Sequence, residues 1–230
     1  VALFCNVEPD AVIQSIDVPS IYEVPLKMQE QKLDEIVLRK TGMEIGPRPE
    51  LKPWREFLAH MQNAKDTVRI GLVGKYVELQ DAYKSINEAL FQAATYNNRK
   101  LDLQYIHSEK LTESNVEEKL SSMDGLIIAP GFGQRGVEGK FVALKYAREH
   151  DMPTFGICLG MQCMVIEYAR DVLGYKDANS TEMDVNTPHN VIDLMESQKC
   201  ISNMGGTMRL GEYDCILQEG SKAEQAYGKT

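Results

Sequence analysis

Five consecutive residues, Gly156-Ile157-Cys158-Leu159-Gly160, have the types and spacing of a nucleophile elbow. A short apolar run, Pro153-Thr154-Phe155, precedes them, and a helix-patterned run, Met161 to Leu173, follows. Flanking glycines let a strand turn sharply into a helix without a Cβ clash, which lifts the central side chain above the sheet edge. The sulfur then sits at a helix N-terminus, where the dipole and free backbone N–H groups favour a thiolate over a thiol. The chemistry this would serve is nucleophilic acyl transfer. The plain alternative is a buried structural cysteine beside two loop glycines.

Acyl transfer also needs donors for an oxyanion, and a base. Gly131-Phe132-Gly133-Gln134-Arg135-Gly136 matches GxGxxG, but it follows the third strand of its domain rather than the first, and Pro130 precedes it. As a glycine loop beside a nucleophile it can aim N–H groups at a developing oxyanion. Pro130 has no N–H, so Gly131 or Phe132 would be one donor. The N–H of Leu159, just after the nucleophile, would be the other. An ordinary βα loop is the competing reading. Gly71-Leu72-Val73-Gly74-Lys75 has the wrong spacing for a phosphate loop, with Tyr76 where Ser or Thr should hold magnesium, and reads as a strand-end turn. None of the four histidines, His60, His107, His150 and His189, fits as the base of Cys158. Either the elbow is idle or its partner lies beyond Thr230. Glu182 reads as a cap or a solvated acid. Arg209 reads as a surface arginine or as a bidentate holder of a carboxylate or phosphate.

The elements that must position these residues follow an α/β rhythm. Strand patterns at Val68–Val73, Leu101–Ile106, Gly125–Ala129 and around Thr154 alternate with helix patterns at Ala82–Tyr96, Thr112–Leu120 (Thr112 as a cap) and Val137–His150. This predicts a doubly wound, mainly parallel sheet with flanking helices. Ligands in such sheets bind beyond the carboxyl ends of the strands, where Cys158 and the Pro130–Gly133 segment both fall. Upstream, Val1–Cys5 reads as a strand, Met28–Lys40 as one helix ended by Gly42, Gly46–Pro53 as a proline-rich linker, and Trp54–Asn63 as an amphipathic helix. Downstream, Val191–Leu194 and Cys215–Leu217 read as strands, with a glycine-rich loop at Gly205–Gly211.

The bulk numbers narrow the class. The chain has 230 residues, 43% hydrophobic and 26% charged, with net charge −9. That acidity argues against nonspecific nucleic-acid binding. Five cysteines without a CxxC pair suggest neither a disulfide framework nor a zinc site, and fit a reducing cytoplasm. No secretory signal and no run of membrane-spanning length is present, so no membrane partner is expected. The chain opens without methionine, which suggests a piece of something longer.

The segment Phe155-Gly-Ile-Cys-Leu-Gly-Met-Gln162 resembles the nucleophile region of class I, triad-type glutamine amidotransferases. Further segments narrow the likeness: Ala2-Leu-Phe-Cys-Asn-Val7, Val73-Gly-Lys-Tyr76, Asp81-Ala-Tyr-Lys-Ser85, Gly131-Phe-Gly133 with Arg135-Gly136 and Glu138-Gly139, Ala178-Asn-Ser-Thr-Glu182, and Gly205-Gly-Thr-Met-Arg-Leu-Gly211. In this order they resemble the CTP synthase family along essentially the whole chain. The resemblance implies that residues 1–45 end a synthase (amidoligase) domain, 46–66 link, and 67–230 form a glutaminase domain lacking its C-terminal part. It implies a ligase of pyrimidine biosynthesis, in the cytoplasm, that makes CTP from UTP. ATP phosphorylates the uracil O4, and ammonia from L-glutamine displaces that phosphate.

By the same resemblance Cys158 is the nucleophile that gives a glutamyl thioester, and Gly131 and Leu159 supply the oxyanion donors. Gly131, Leu159, Gly160, Met161, Gln162 and Glu182 bind glutamine, with Glu182 on its amino group. Asp17 and Val18 lie near the ATP adenine. The Gly205–Gly211 loop resembles a lid linked to activation by GTP. Magnesium and a homotetramer are implied for the full enzyme, with no metal ligand and no tightly bound cofactor in these residues. Where the family usually has Pro-Gly-Gly-Phe-Gly, this chain has Ala129-Pro130-Gly131-Phe132-Gly133, which keeps the second glycine and stiffens the loop before it. The family's catalytic His and Glu fall past Thr230, so these 230 residues alone are expected to be inactive. Two other readings stay open: a glutaminase for another synthase, of GMP or carbamoyl phosphate type, and a noncatalytic regulatory module.

Overall fold

The computed structural model describes residues 1–199, 212 and 214–228. It contains two compact units, Val1–Glu167 and Tyr168–Thr230.

The first unit is built on four strands, β1 (Asp66–Gly74), β2 (Arg99–His107), β3 (Gly125–Ile128) and β4 (Thr154–Gly156). Every pairing is parallel and the order is β2-β1-β3-β4. The chain runs outward from β1 to β2, then crosses back past β1 to β3 and β4. The order therefore reverses between β1 and β3, and the usual right-handed crossovers then need helices on both faces. Those helices are α5 (Lys84–Tyr96), α6 (Val116–Leu120) and α7 (Val137–Glu149), with α8 (Leu159–Asp171) leaving β4. The expected doubly wound α/β sheet is present.

Burial along the strands shows where the core lies. β3 is buried throughout, while β1 is exposed at its start and buried over its last four residues. Leu72 of β1, Ile127 of β3, Ala129 and Tyr83 form a core cluster, packed by Ile86 and Leu90 of α5 and by Leu103 and Tyr105 of β2. Ile86 and Leu90, four residues apart on α5, thus face the sheet together. Apolar packing thus concentrates toward the carboxyl ends of the central strands, the edge at which the site is built.

Ahead of the sheet lie α1 (Ala2–Cys5), α2 (Val24–Glu30), α3 (Leu33–Thr41) and α4 (Lys52–Asn63). Val1–Cys5 is thus not a strand. Its ends close on themselves through Cys5 N–H to Val1 O at 3.0 Å, and Asn6 turns left-handed after it. The expected single helix over Met28–Lys40 is two, broken where Lys32 takes φ 58°. Gly42 does end the second, in the left-handed C-cap conformation. Thr112 does not cap α6; its carbonyl accepts from Val116 N–H, and Asn115 holds the cap position. The span 46–66 contains α4, whose Trp54 and Phe57 gather with Tyr22 and Phe91 in an aromatic cluster. Trp54 Nε1 donates to Tyr22 O at 2.7 Å, and the Tyr22 hydroxyl donates to Glu88 at 2.6 Å.

The second unit holds a two-stranded parallel sheet, β5 (Asn179–Ser180) with β6 (Asn190–Ile192), and α9 (Lys222–Tyr227). Arg170 donates to Ala178 O at 2.7 Å, and Thr181 donates to Asp193 at 2.7 Å, which fixes the turn after β5. Cys215–Leu217 forms no strand; Cys215 and Ile216 are exposed, and among the described residues no strand pairs with them. The Gly205–Gly211 loop, with Arg209, lies outside the described residues.

Candidate active site

Cys158 stands between β4 and α8 with φ 55°, a left-handed conformation that a side-chain-bearing residue seldom adopts. The surroundings enforce it. Ile157 N–H donates to Ile128 O at 3.1 Å, and Gly160 N–H donates to Ile157 O at 2.8 Å, closing the turn. A Cβ at Gly160 would stand 2.1 Å from Ile128 O, and one at Gly156 would stand 2.5 Å from Met161 N. Both glycines are therefore required by backbone contact. Only a residue without a side chain lets α8 start this close to the end of β3. Cys158 itself is exposed, whereas Cys163, one turn into α8, is fully buried. The elbow reading holds and the buried-structural reading does not.

The glycine loop after β3 reaches the same place. Gly131 lies against Leu159: a Cβ on it would be 3.8 Å from Leu159 Cδ2 and 3.5 Å from Lys75 Cε. The structure thus brings together Gly131, Cys158, Leu159 and Gly160 at the carboxyl edge of β3 and β4. Met161 and Gln162 follow on the first turn of α8, and among the described residues the buried Gln162 Oε1 has no hydrogen-bond partner. An orphaned buried acceptor costs stability unless something fills it, so this atom suits a bound polar ligand.

Two lysines that sequence reasoning passed over also converge here. Lys75, 8% exposed at the end of β1, donates to Phe132 O. Lys140 on α7 is 1% exposed and donates to Ala129 O at 2.6 Å. Burial holds the Lys140 ammonium below the ordinary lysine range; negative charge at Cys163 would oppose this, the Lys75 charge adds to it, and negative charge at Cys158 would oppose it. A signal existed in the sequence. Lys140 falls among Val137, Phe141 and Leu144 on the buried face of α7, where lysine is out of place. Beyond them Arg135 pairs with Glu109 at 2.7 Å and stands over the Tyr76 ring, 5.4 Å from its centre.

The remaining expected residues belong to other segments. Glu182 belongs to the second unit, exposed, with its N–H donating to Ser180 Oγ at 3.2 Å. Asp17 and Val18 lie in the irregular segment 12–20, which adds nothing to the sheet. His60 pairs with Asn98, His150 donates to Tyr146 O and stacks on that ring, His189 pairs with Asp177, and His107 accepts from Glu109 N–H. Among the described residues no hydrogen bond joins a histidine to Cys158. Nor do three or more His, Cys, Asp or Glu gather among them in a way that could hold a metal ion. No helix among them is long and apolar enough to cross a membrane.

Comparison with known proteins places the chain in a family. The family model "Glutamine amidotransferase class-I" matches residues 78–229, and "CTP synthase N-terminus" matches residues 1–43. A CTP synthase of Porphyromonas gingivalis is 67% identical over 229 residues, covering 100% of this chain and 42% of that protein. A CTP synthase of Bacteroides fragilis is 65% identical over 227 residues, 99% of this chain and 43% of that protein. The chain thus spans less than half the length of these curated relatives. The Trypanosoma brucei CTPS glutaminase domain with bound acivicin superposes with a TM-score of 0.55 at 38% identity, over 58% of this chain and 52% of that one. A cysteine elbow at the end of a parallel strand, a glycine loop laid against the next residue, and a family model over most of the chain agree: the chain belongs to the class-I glutamine amidotransferase family, and its similarity to CTP synthases runs its whole length.

Proposed function

We propose that this chain supplies the glutamine-hydrolysing site of a CTP synthase, with Cys158 as nucleophile. The observation that carries the reading is the left-handed Cys158, locked by two glycine contacts, with Gly131 against Leu159. Sγ attacks the side-chain amide carbon of glutamine. A C–S bond forms as the carbonyl electron pair moves onto oxygen, and the N–H groups of Gly131 and Leu159 take up that charge. Collapse breaks the C–N bond, and the nitrogen leaves as ammonia with an added proton. Water then cleaves the thioester to glutamate and frees the thiol. Gly160, Met161 and Gln162 line the glutamine side of the elbow, and Glu182 takes the substrate's ammonium group.

The proton transfers need a base. In this reading a His and Glu of the intact enzyme, outside these 230 residues, provide it. The ammonia serves the ATP-dependent amination of UTP to CTP, with the adenine near Asp17 and Val18, GTP as activator, and a cytoplasmic homotetramer as the working form. Residues 1–45, 46–66 and 67–230 are then the end of the synthase domain, a linker that includes α4, and most of the glutaminase domain.

Cys158→Ala in the intact enzyme tests the reading. Glutamine-dependent CTP formation should vanish while ammonia still supports it. Loss of both activities, or of neither, defeats the reading.

A further inference from the structure

Resting on that reading of Cys158 and Gly131, we propose that Lys140 is a positioning residue, whose ammonium anchors the oxyanion loop through the Ala129 carbonyl and so aims the Gly131 N–H at the developing oxyanion.

The loop after β3 is short, and Gly131 must present its N–H to a point defined by Cys158, on another element. Within the loop, the backbone on the β3 side is tied to the sheet, since Ala129 N–H donates to Val73 O at 3.0 Å. Ala129 O is the first carbonyl beyond β3 and belongs to a residue with no exposed surface. Lys140 Nζ meets it at 2.6 Å from below. Three residues on, Phe132 O is met by Lys75 Nζ from the end of β1. Two ammonium groups from two separate elements therefore bracket Pro130-Gly131. The proline between them has a fixed φ, so little freedom is left for the Gly131 peptide once its neighbours are held.

The element that carries Lys140 is itself seated hard. A Cβ at Gly139 would stand 1.7 Å from Ser108 O, so α7 rests on backbone there and the root of Lys140 cannot drift. Among the described residues no carboxylate pairs with Lys140. A lysine with 1% exposure and no counter-ion is costly, and apolar side chains of similar volume fill such positions without that cost. A requirement for a long, charged donor at Ala129 O explains its presence. Burial in low dielectric also strengthens that single hydrogen bond.

The test uses the intact enzyme that carries this chain, with Lys140→Met, which keeps volume and removes the donor, and Lys140→Arg, which keeps charge and donors. Glutamine hydrolysis by Lys140→Met should fall about tenfold or more in kcat while KM for glutamine stays within about twofold, because an oxyanion donor acts on the transition state and not on bound substrate. Ammonia-dependent CTP formation and the rate of Cys158 alkylation by iodoacetamide should not change. Lys140→Arg should recover at least a third of the lost kcat, which a role in core packing alone would not produce. Wild-type kcat in Lys140→Met, or Arg no better than Met, overturns the proposal. If Lys140→Met fails to fold, a crystal structure of the wild-type enzyme with acivicin on Cys158 decides. Lys140 Nζ within hydrogen-bond reach of Ala129 O and the Gly131 N–H turned to the adduct support it, and either one missing overturns it. The underlying reading fails separately, if Cys158→Ala still hydrolyses glutamine.

Discussion

Gly160 and Ile128 are in backbone contact: a Cβ on the glycine would lie 2.1 Å from the isoleucine carbonyl oxygen. This contact joins the first turn of α8 to the end of β3, so the strand that carries the glycine loop and the helix that follows Cys158 share one seat. Gly160→Ala must push the two apart. Such overpacking costs about 1–3 kcal/mol. A loss of unfolding free energy of that size is expected in urea denaturation, with glutamine-dependent turnover reduced about 100-fold, as when an oxyanion donor is misplaced. A fully active, fully stable alanine variant would contradict the contact.

Cysteine accessibility separates nucleophile from core. Cys158 is exposed and Cys163 has no exposed surface. Brief iodoacetamide treatment of the native protein, read by peptide mass mapping, should modify Cys158 and spare Cys163 until denaturant is added. The isolated 230 residues should be alkylated at Cys158 yet release no ammonia from glutamine, since none of the described histidines is bonded to it.

Arg148 of α7 and Glu167 of α8 form a fork-like pair, with Nη2 to Oε1 at 2.8 Å and Nε to Oε1 at 3.0 Å. Glu167 is 4% exposed, so removing its partner strands a buried carboxylate. Arg148→Ala should cost about 3 kcal/mol by chemical denaturation. Replacing both partners with apolar residues should cost less than either single change.

Lys140 gives stability a pH dependence with a definite sign. Burial depresses its folded-state pKa below the ordinary 10.5, so the unfolded chain holds the proton more tightly. Stability rises with pH wherever the unfolded state binds more protons. The cost of the buried charge is therefore full below the depressed value and disappears as pH climbs toward 10.5. Wild type should gain on Lys140→Met as pH is raised from neutral, measured as the difference in unfolding free energy. A difference that stays flat with pH would show that the lysine is not desolvated.

The Tyr22 hydroxyl ties the segment ahead of α4 to α5, donating to Glu88 at 2.6 Å and accepting from Gln92 at 3.0 Å. Tyr22→Phe keeps the aromatic cluster and removes only these bonds. It should cost about 1 kcal/mol in thermal or urea unfolding.

The sequence alone determined the alternating α/β order, because periods of two and of three to four in apolar residues are local and survive without coordinates. It marked Cys158 as an elbow or a buried structural cysteine, and the left-handed φ and exposed sulfur separated the two. Local pattern misled where partners decide the outcome. Val1–Cys5 and Cys215–Leu217 are apolar enough for strands, but among the described residues no strand pairs with them, and the break at Lys32 turns on one left-handed residue. Only the tertiary structure decided that β1 and β3 are neighbours. That adjacency sets Lys75, the glycine loop and Cys158 at one edge, though 83 residues separate the lysine from the cysteine. Only it disclosed Lys140 beneath the loop. A lysine on an apolar helix face is out of place in the sequence, but what it serves is hidden until the carbonyl it satisfies, in the loop after β3, is in view, because hydrogen bonds between elements have no period along the chain.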